Sequence, residues 1–262
     1  MKTGRAWLVF CVAFAWAPFA AAAPLELRSS RNLSYTEFAA GHVHESVSNQ
    51  PEDWTESQIE LLRKFDDRKL LIARLVAMER FGLHDTTASI AGYYPLGERT
   101  TIYAEAMASA AHRFLPRDAL HLQLAHSLGG GWGASGGLKR MRYDNTIVDI
   151  ADVTLEYYFS SFRIALTVLP SHSSTAGSAS SYRVQLGHYY GNENNVQFLV
   201  VAGDEVDKAI AAGAIVKTNV RSTAVYGRHW FARDWALTYT LARTQQGQSR
   251  RDAAGVGLRY RF

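Results

Sequence analysis

Ala254-Gly255-Val256-Gly257-Leu258-Arg259-Tyr260-Arg261-Phe262 closes the chain, and its alternation decides the fold class. Ala254, Val256, Leu258, Tyr260 and Phe262 share one side of an extended backbone, and Gly255, Gly257, Arg259 and Arg261 share the other. Successive strand side chains point to opposite faces, so this is a strand with one oily and one polar side. The rhythm extends backwards. Trp235, Leu237, Tyr239 and Leu241 alternate with Ala236, Thr238, Thr240 and Ala242. Phe162, Ile164, Leu166 and Val168 alternate with Arg163, Ala165, Thr167 and Leu169, and Leu120, Leu122 and Leu124 with His121, Gln123 and Ala125.

Composition narrows what such strands can build. The chain has 262 residues, 47% hydrophobic and 12% aromatic, which excludes disorder. Its 28 basic and 24 acidic residues are scattered, so no nucleic-acid surface is expected. Lys2 and Arg5, an apolar run from Ala6 to Ala17, the helix-breaking Pro18 and the small residues Ala20 to Ala23 form a secretory signal. Cleavage is expected after residue 22, leaving a short periplasmic segment, 23–32, before a barrel over 33–262. The sole cysteine, Cys11, lies within the signal, so thiol catalysis, thiolate metal sites and disulfides are excluded from the mature chain. Past the signal no 18-residue apolar run occurs, so no helix spans a membrane.

A β-sandwich shares the two-residue period, but three features favour a transmembrane antiparallel up-and-down barrel. Segments of about ten residues suit a tilted strand crossing hydrocarbon. Tyr157, Phe159, Phe162, Tyr182, Tyr190, Trp230, Trp235 and Tyr260 sit near segment ends, as interfacial girdles do. Val256, Leu258, Tyr260 and Phe262 resemble the C-terminal signal read by the bacterial barrel assembly machinery. Strands are expected near 33–47, 54–65, 69–81, 86–94, 101–111, 119–128, 132–143, 146–158, 162–170, 180–190, 195–203, 214–230, 233–244 and 252–262. That is about 14, an even number, with 12 as the competing count. With both termini periplasmic, the periplasmic turns are short and the three longest connections, 171–179, 204–213 and 245–251, face outward. Residues Leu138 to Tyr143 break the period, which predicts a bulge there.

Arg80-Phe81-Gly82, Tyr93-Tyr94-Pro95, Tyr103, Phe114-Leu115-Pro116, Gly137-Leu138-Lys139-Arg140, Tyr157-Tyr158-Phe159 and His188-Tyr189-Tyr190 occur in an order that resembles the YaiO family of outer-membrane β-barrels. The resemblance spans about 33–262. The family's usual Leu-Phe-Pro is replaced by Phe114-Leu115-Pro116, and its Gly-x-Arg element is stretched. It implies outer-membrane residence and contact with outer-membrane lipid, but no established activity and no catalytic residues.

Catalytic chemistry finds little support. His126 and Ser127 are strand neighbours and point apart, while His121 and Ser127 share a face but lie roughly 20 Å apart. Asp204, Glu205 and Asp207 lack the spacing of calcium ligands, and the nine histidines, with only His42 and His44 close together, lack zinc-site spacing. No metal and no cofactor are expected. The polar faces carry Glu105, Glu156, Arg163, Arg183, Lys217, Arg221, Arg259 and Arg261. Charge facing lipid at mid-depth costs about 2–4 kcal/mol, so these are expected in the lumen, with positive charge in excess. They form either a salt-bridged plug or a narrow path. The expectation is a monomeric, non-enzymatic barrel that binds or passes a polar solute, anionic or saccharide in kind. Alternatives are an accessory to exopolysaccharide export and an enzyme acting on outer-leaflet lipid.

Overall fold

The computed structural model describes residues 10–11, 34–48, 52–191, 193–209 and 214–262. The signal and periplasmic-segment assignments, 1–22 and 23–32, lie outside these residues save for Phe10–Cys11, which bridges to Lys208 and Ala209. Fourteen antiparallel strands form the wall: β1 (Tyr35–Val47), β2 (Trp54–Lys64), β3 (Leu70–Arg80), β4 (Leu83–Pro95), β5 (Thr100–Ser109), β6 (Asp118–Gly129), β7 (Trp132–Arg142), β8 (Ile147–Phe159), β9 (Phe162–Ser173), β10 (Gly177–Tyr190), β11 (Asn194–Ala209), β12 (Ala214–Trp230), β13 (Trp235–Gln246) and β14 (Ser249–Arg261). Each pairs with its sequence neighbours, and β14 returns to β1 from Arg251↔Val47 to Arg261↔Glu37. The sheet therefore closes on itself, and its strands pair within the wall, as hydrocarbon demands. Both the sandwich and the count of 12 are excluded.

The outside of the wall has two zones. Ile59, Leu61, Leu71, Leu75, Ile90, Leu122, Leu155, Leu166, Val184 and Leu241 are exposed and form the apolar band. At the end that carries the chain terminus, rings stack across strands from Trp132 through Tyr157, Phe159, Phe162, His188, Tyr190 and His229 to Tyr239, and again from Trp235 through Tyr260 to Phe262. This is a girdle at the periplasmic interface. Trp230 is the exception among the expected girdle residues. It turns inward, under the Arg261 guanidinium at 4.2 Å.

At the opposite end the outer face becomes ionic. Arg140 binds Asp149 at 2.7 Å, Arg142 binds Asp118 at 2.5 Å, and Arg243 binds Asp252 at 2.6 Å. The strands here stand clear of hydrocarbon, so outward charge costs little. This explains the apparent break at Leu138 to Tyr143. Backbone pairing across β7 and β8 stays in register there, and only the chemistry of the outward positions changes. The irregularity in register lies instead between Ser127 and Gly129.

The expected long outer loops are also corrected. Most of 171–179, 204–213 and 245–251 is strand, because β9 to β14 continue as hairpins beyond the membrane. The longest described connection is 110–117, between β5 and β6, and it folds inward. Phe114 (3% exposed) and Leu115 pack on Val76 and Met78 inside the barrel mouth. Asp85 holds the loop by accepting backbone N–H bonds from Arg113 at 3.1 Å and from Phe114 and Leu115 at 2.9 Å.

Candidate functional site

The lumen is layered. In the periplasmic layer, Arg259 donates to Glu37 and to Glu60, each at 2.7 Å, and Arg74 donates to Glu60 at 2.6 Å. Arg261 binds Glu37 at 2.6 Å and also Glu193, and its guanidinium lies 3.9 Å from the Tyr35 ring centre. On the far wall Arg163 donates to Glu156 at 2.7 Å, and the Tyr158 hydroxyl donates to the same carboxylate at 3.3 Å. Glu37, Glu60, Glu156, Arg163 and Arg259 are all buried.

The outer layer is built on Trp54. Arg80 and Arg251 lie over its ring, at 4.9 and 5.2 Å, and both reach Glu45, at 3.7 and 3.5 Å. The cations thus meet both a π-face and a carboxylate, which offsets their lost hydration. Phe81, edge-on to Trp54 at 4.7 Å, joins this layer to Phe114 and Leu115.

Between the two layers the wall is asymmetric. Thr238, Gly257, Gly41 and Gln58 stand side by side across β13, β14, β1 and β2. Gly257 has no room to be anything larger, because a Cβ there would meet Thr238 Oγ1 at 2.7 Å and the Ala40 carbonyl at 2.8 Å. The other side carries long polar groups. Glu105, His121 and Lys139 are adjacent across β5, β6 and β7, and Arg183 projects from β10. His121 bonds Asp152 at 3.0 Å, and Gln123 donates to the same carboxylate. The Tyr103 hydroxyl is buried without a hydrogen-bond partner among the described residues, and the Tyr93 and Tyr103 rings lie 4.8 Å apart. Gln185 donates to Tyr226 at 2.5 Å. Glu105, His121, Gln123, Lys139, Arg183, Gln58, Thr238, Thr240 and Gly255 are half-buried, so a polar space remains between the two closed layers.

Of the eight charged residues expected inside, Glu105, Glu156, Arg163, Arg183, Arg259 and Arg261 stand on inward positions. Lys217 and Arg221 do not, and this is a correction. Both are exposed on the outer side of β12, where Lys217 binds Asp204 at 3.2 Å. Their strand rises above the hydrocarbon, where the polar side faces out and apolar Val220 and Ala224 pack inward with Leu199 and Val201. The expected positive excess is offset as well, because Glu37, Glu45, Glu56 and Glu60 line the same interior and were missed. A signal existed: Glu56, Gln58 and Glu60 alternate with Ser57, Ile59 and Leu61. Val256, Leu258, Tyr260 and Phe262 lie exposed along one outer edge of β14.

Several histidines bond a hydroxyl directly opposite on the next strand. His42 meets Ser57 at 2.9 Å, His126 meets Thr100 at 2.9 Å, and His172 meets Ser178 at 3.1 Å. The recurrence follows from register, and none of these pairs has a carboxylate behind it, except that Asp149 adds its charge at His172. Of the acidic trio, Asp204 is ion-paired and Glu205 is half-buried, while the Asp207 side chain lies outside the described residues. Among the described residues no group of three metal-ligating side chains occurs.

Comparison with solved structures places the fold among outer-membrane barrels. A bacterial polysaccharide outer membrane secretin is 10% identical with a TM-score of 0.58, covering 88% of this chain and 99% of that one. The KdgM porin in complex with disordered oligogalacturonate is 7% identical with a TM-score of 0.48, covering 85% and 98%. An anion-selective porin from Comamonas acidovorans is 11% identical with a TM-score of 0.46, covering 88% and 99%. No curated protein matches the chain. The family model of the YaiO membrane beta barrel domain matches residues 36–204, most of the wall from β1 into β11, and the chain belongs to this family of bacterial outer-membrane barrels.

Proposed function

We propose that the barrel binds or passes a polar solute of saccharide kind through its constricted lumen, as a monomer and without catalysing a reaction. One observation supports this best: at mid-height a bare wall of Thr238, Gly257 and Gly41 faces Glu105, His121, Lys139 and Arg183. A barrel that served only as a membrane plug would fill its interior with interdigitating side chains, as small barrels do. Here donors and acceptors stay half-buried beside the rings of Tyr93, Tyr103 and Tyr226. Sugars present hydroxyls at their edges and C–H faces above and below, which amide, charged and tyrosine groups match together. The ion-paired layers above and below make the route narrow, and the inward loop 110–117 makes it closable.

The test is reconstitution of purified protein into planar bilayers and into sugar-loaded liposomes. The reading expects small, flickering conductance and uptake that falls steeply with solute size. Silent bilayers combined with no saccharide binding to the detergent-solubilised barrel would overturn it.

A further inference from the structure

The outer wall of β12 to β14 carries a compact group of charges. Arg221, Gln245 and Arg250 form one row across the three strands, and Thr223, Arg243 and Asp252 form the row beneath. These side chains point outward, since the residues between them, Ser222, Thr244, Gln246 and Arg251, are buried. Strands stand about 4.8 Å apart and rise about 3.4 Å per residue, so the Cα atoms of the three arginines lie within roughly 10 Å. The next row down is Val225, Leu241 and Ala254, and Leu241 is exposed in the apolar band. The arginines therefore stand at the upper boundary of the hydrocarbon, on the side away from the periplasm.

One carboxylate serves all three. Arg243 donates to one Asp252 oxygen through Nε at 2.6 Å, and the Nε of Arg250 lies 3.2 Å from the other. Among the described residues, no acceptor takes the terminal nitrogens of either guanidinium, and the Arg221 side chain has no partner. Flanking carboxylates have partners of their own: Asp204 has Lys217 and Asn219, and Asp53 has His44. On the opposite wall Arg140 is different, because it closes both Nε and a terminal nitrogen on Asp149. The group on β12 to β14 thus presents three positive charges against one negative, with most of its N–H donors turned to the surroundings.

We infer that Arg221, Arg243 and Arg250 bind the phosphate groups of the phosphorylated glycolipid of the outer leaflet, with its acyl chains lying along Leu241 and the apolar band. The site belongs to the outside of the wall and is independent of what the lumen carries. Height and charge both select this occupant. A lipid lying against the barrel brings its anionic headgroup to the level where the acyl chains end, and Arg243 stands at that level. Guanidinium forks match phosphate oxygens and are weakly hydrated, so they give up water readily. Exposed Thr223, Gln245 and Ser46 lie among or beside them and can meet sugar hydroxyls. A phospholipid with one phosphodiester would neutralise only half of the excess charge, whereas a glycolipid with two phosphates matches it.

The experiment measures, by native mass spectrometry, binding of diphosphoryl lipid A, its dephosphorylated form and phosphatidylglycerol to the intact detergent-solubilised barrel. Diphosphoryl lipid A is expected to bind at least about tenfold more tightly than either, as charge-assisted hydrogen bonds imply. Arg243→Gln and Arg250→Gln should each weaken it about five- to tenfold. Arg63→Gln, which removes an exposed cation at the periplasmic end, should change it by less than about twofold. Heat-dependent gel mobility shows whether each variant has folded. Arg221→Gln, which breaks no bond within the barrel, gives the same reading if loss of an Asp252 partner prevents folding. Equal binding of the phosphorylated and dephosphorylated lipids, or equal effects of the Arg63 and Arg243 variants, would overturn the site. Phosphatidylglycerol binding as tightly as diphosphoryl lipid A would overturn the glycolipid as its occupant.

Discussion

The Asp85 carboxylate anchors the middle of the loop 110–117 in the barrel mouth, so Asp85→Asn should loosen it. Asp85 is 1% exposed and accepts three backbone N–H bonds from consecutive residues. An amide of the same shape keeps one acceptor oxygen but turns an NH2 group toward N–H donors. With the amide oxygen at the Oδ2 position the bonds from Phe114 and Leu115 are kept and the one from Arg113 fails, and a hydrogen bond to a charged group contributes about 1.5–3 kcal/mol. Against this stand Phe114 and Leu115, whose burial continues to favour the closed loop by about 1.5–3 kcal/mol apiece. The closed form survives as the major state but loses about 1.5–3 kcal/mol, so the open fraction rises roughly ten- to a hundredfold. Trypsin reads the change directly, because Arg113 precedes Phe114 inside the loop and Arg117 ends it. With reclosure faster than cleavage, the nicking rate follows the open population. Nicking of folded, heat-modifiable barrel in intact cells should accelerate by one to two orders of magnitude, and bilayer recordings should show longer open events. Equal nicking rates in the variant and the parent would refute the anchoring role of Asp85.

Four further outcomes are expected. Glu156→Leu alone strands buried Arg163 and should cost about 3–5 kcal/mol in urea unfolding from lipid, whereas the double change with Arg163→Leu should cost far less. Leu122→Arg on the apolar band should cost about 2–4 kcal/mol, while Arg221→Leu above it should stay within about 0.5 kcal/mol by the same unfolding assay. Gly137→Ala places a methyl group against the Asp152 carboxylate, with the Leu122 carbonyl 2.9 Å away, so it should cost about 1–3 kcal/mol. In the periplasmic turn, burial works against ionisation of Asp66, but the backbone N–H groups of Arg68 and Lys69 outweigh it and hold its carboxyl below the ordinary range. Those bonds are complete above the ordinary carboxylate pKa and are lost as pH falls through the lowered value, so amide exchange at Arg68 and Lys69 should speed up in acid relative to neighbouring turns.

The strand count, closure and outward side were legible because each strand crosses hydrocarbon, where the solvent imposes a strict two-residue rule. The rule ends where the hydrocarbon ends. Lys217 and Arg221 were misplaced because β12 runs on above the membrane with its polar side outward, and 171–179 read as loop because no lipid marks the upper turns of β9 and β10 as strand. The interior was harder. Arg163 and Arg259 could be placed by phase, but their partners Glu156, Glu37 and Glu60 sit on other strands, and pairing across a lumen leaves no local trace. The loop 110–117 looked like any connection, although three apolar or rigid residues, Phe114 to Pro116, are unusual in a segment bound for water.

Glu37 and its two arginine partners have a consequence for how the molecule is made. The carboxylate belongs to the first strand and the guanidinium groups to the last, with Glu37 and Arg259 222 positions apart in the sequence. During synthesis one end of the unfinished ribbon shows a negative charge at its seam, and the other, arriving last, brings two positive ones. Two nascent copies meeting first strand to first strand set Glu37 against Glu37, and meeting last to last set arginines together. Only unlike ends satisfy each other, so the clasp that locks the finished cylinder also rejects its mispaired versions.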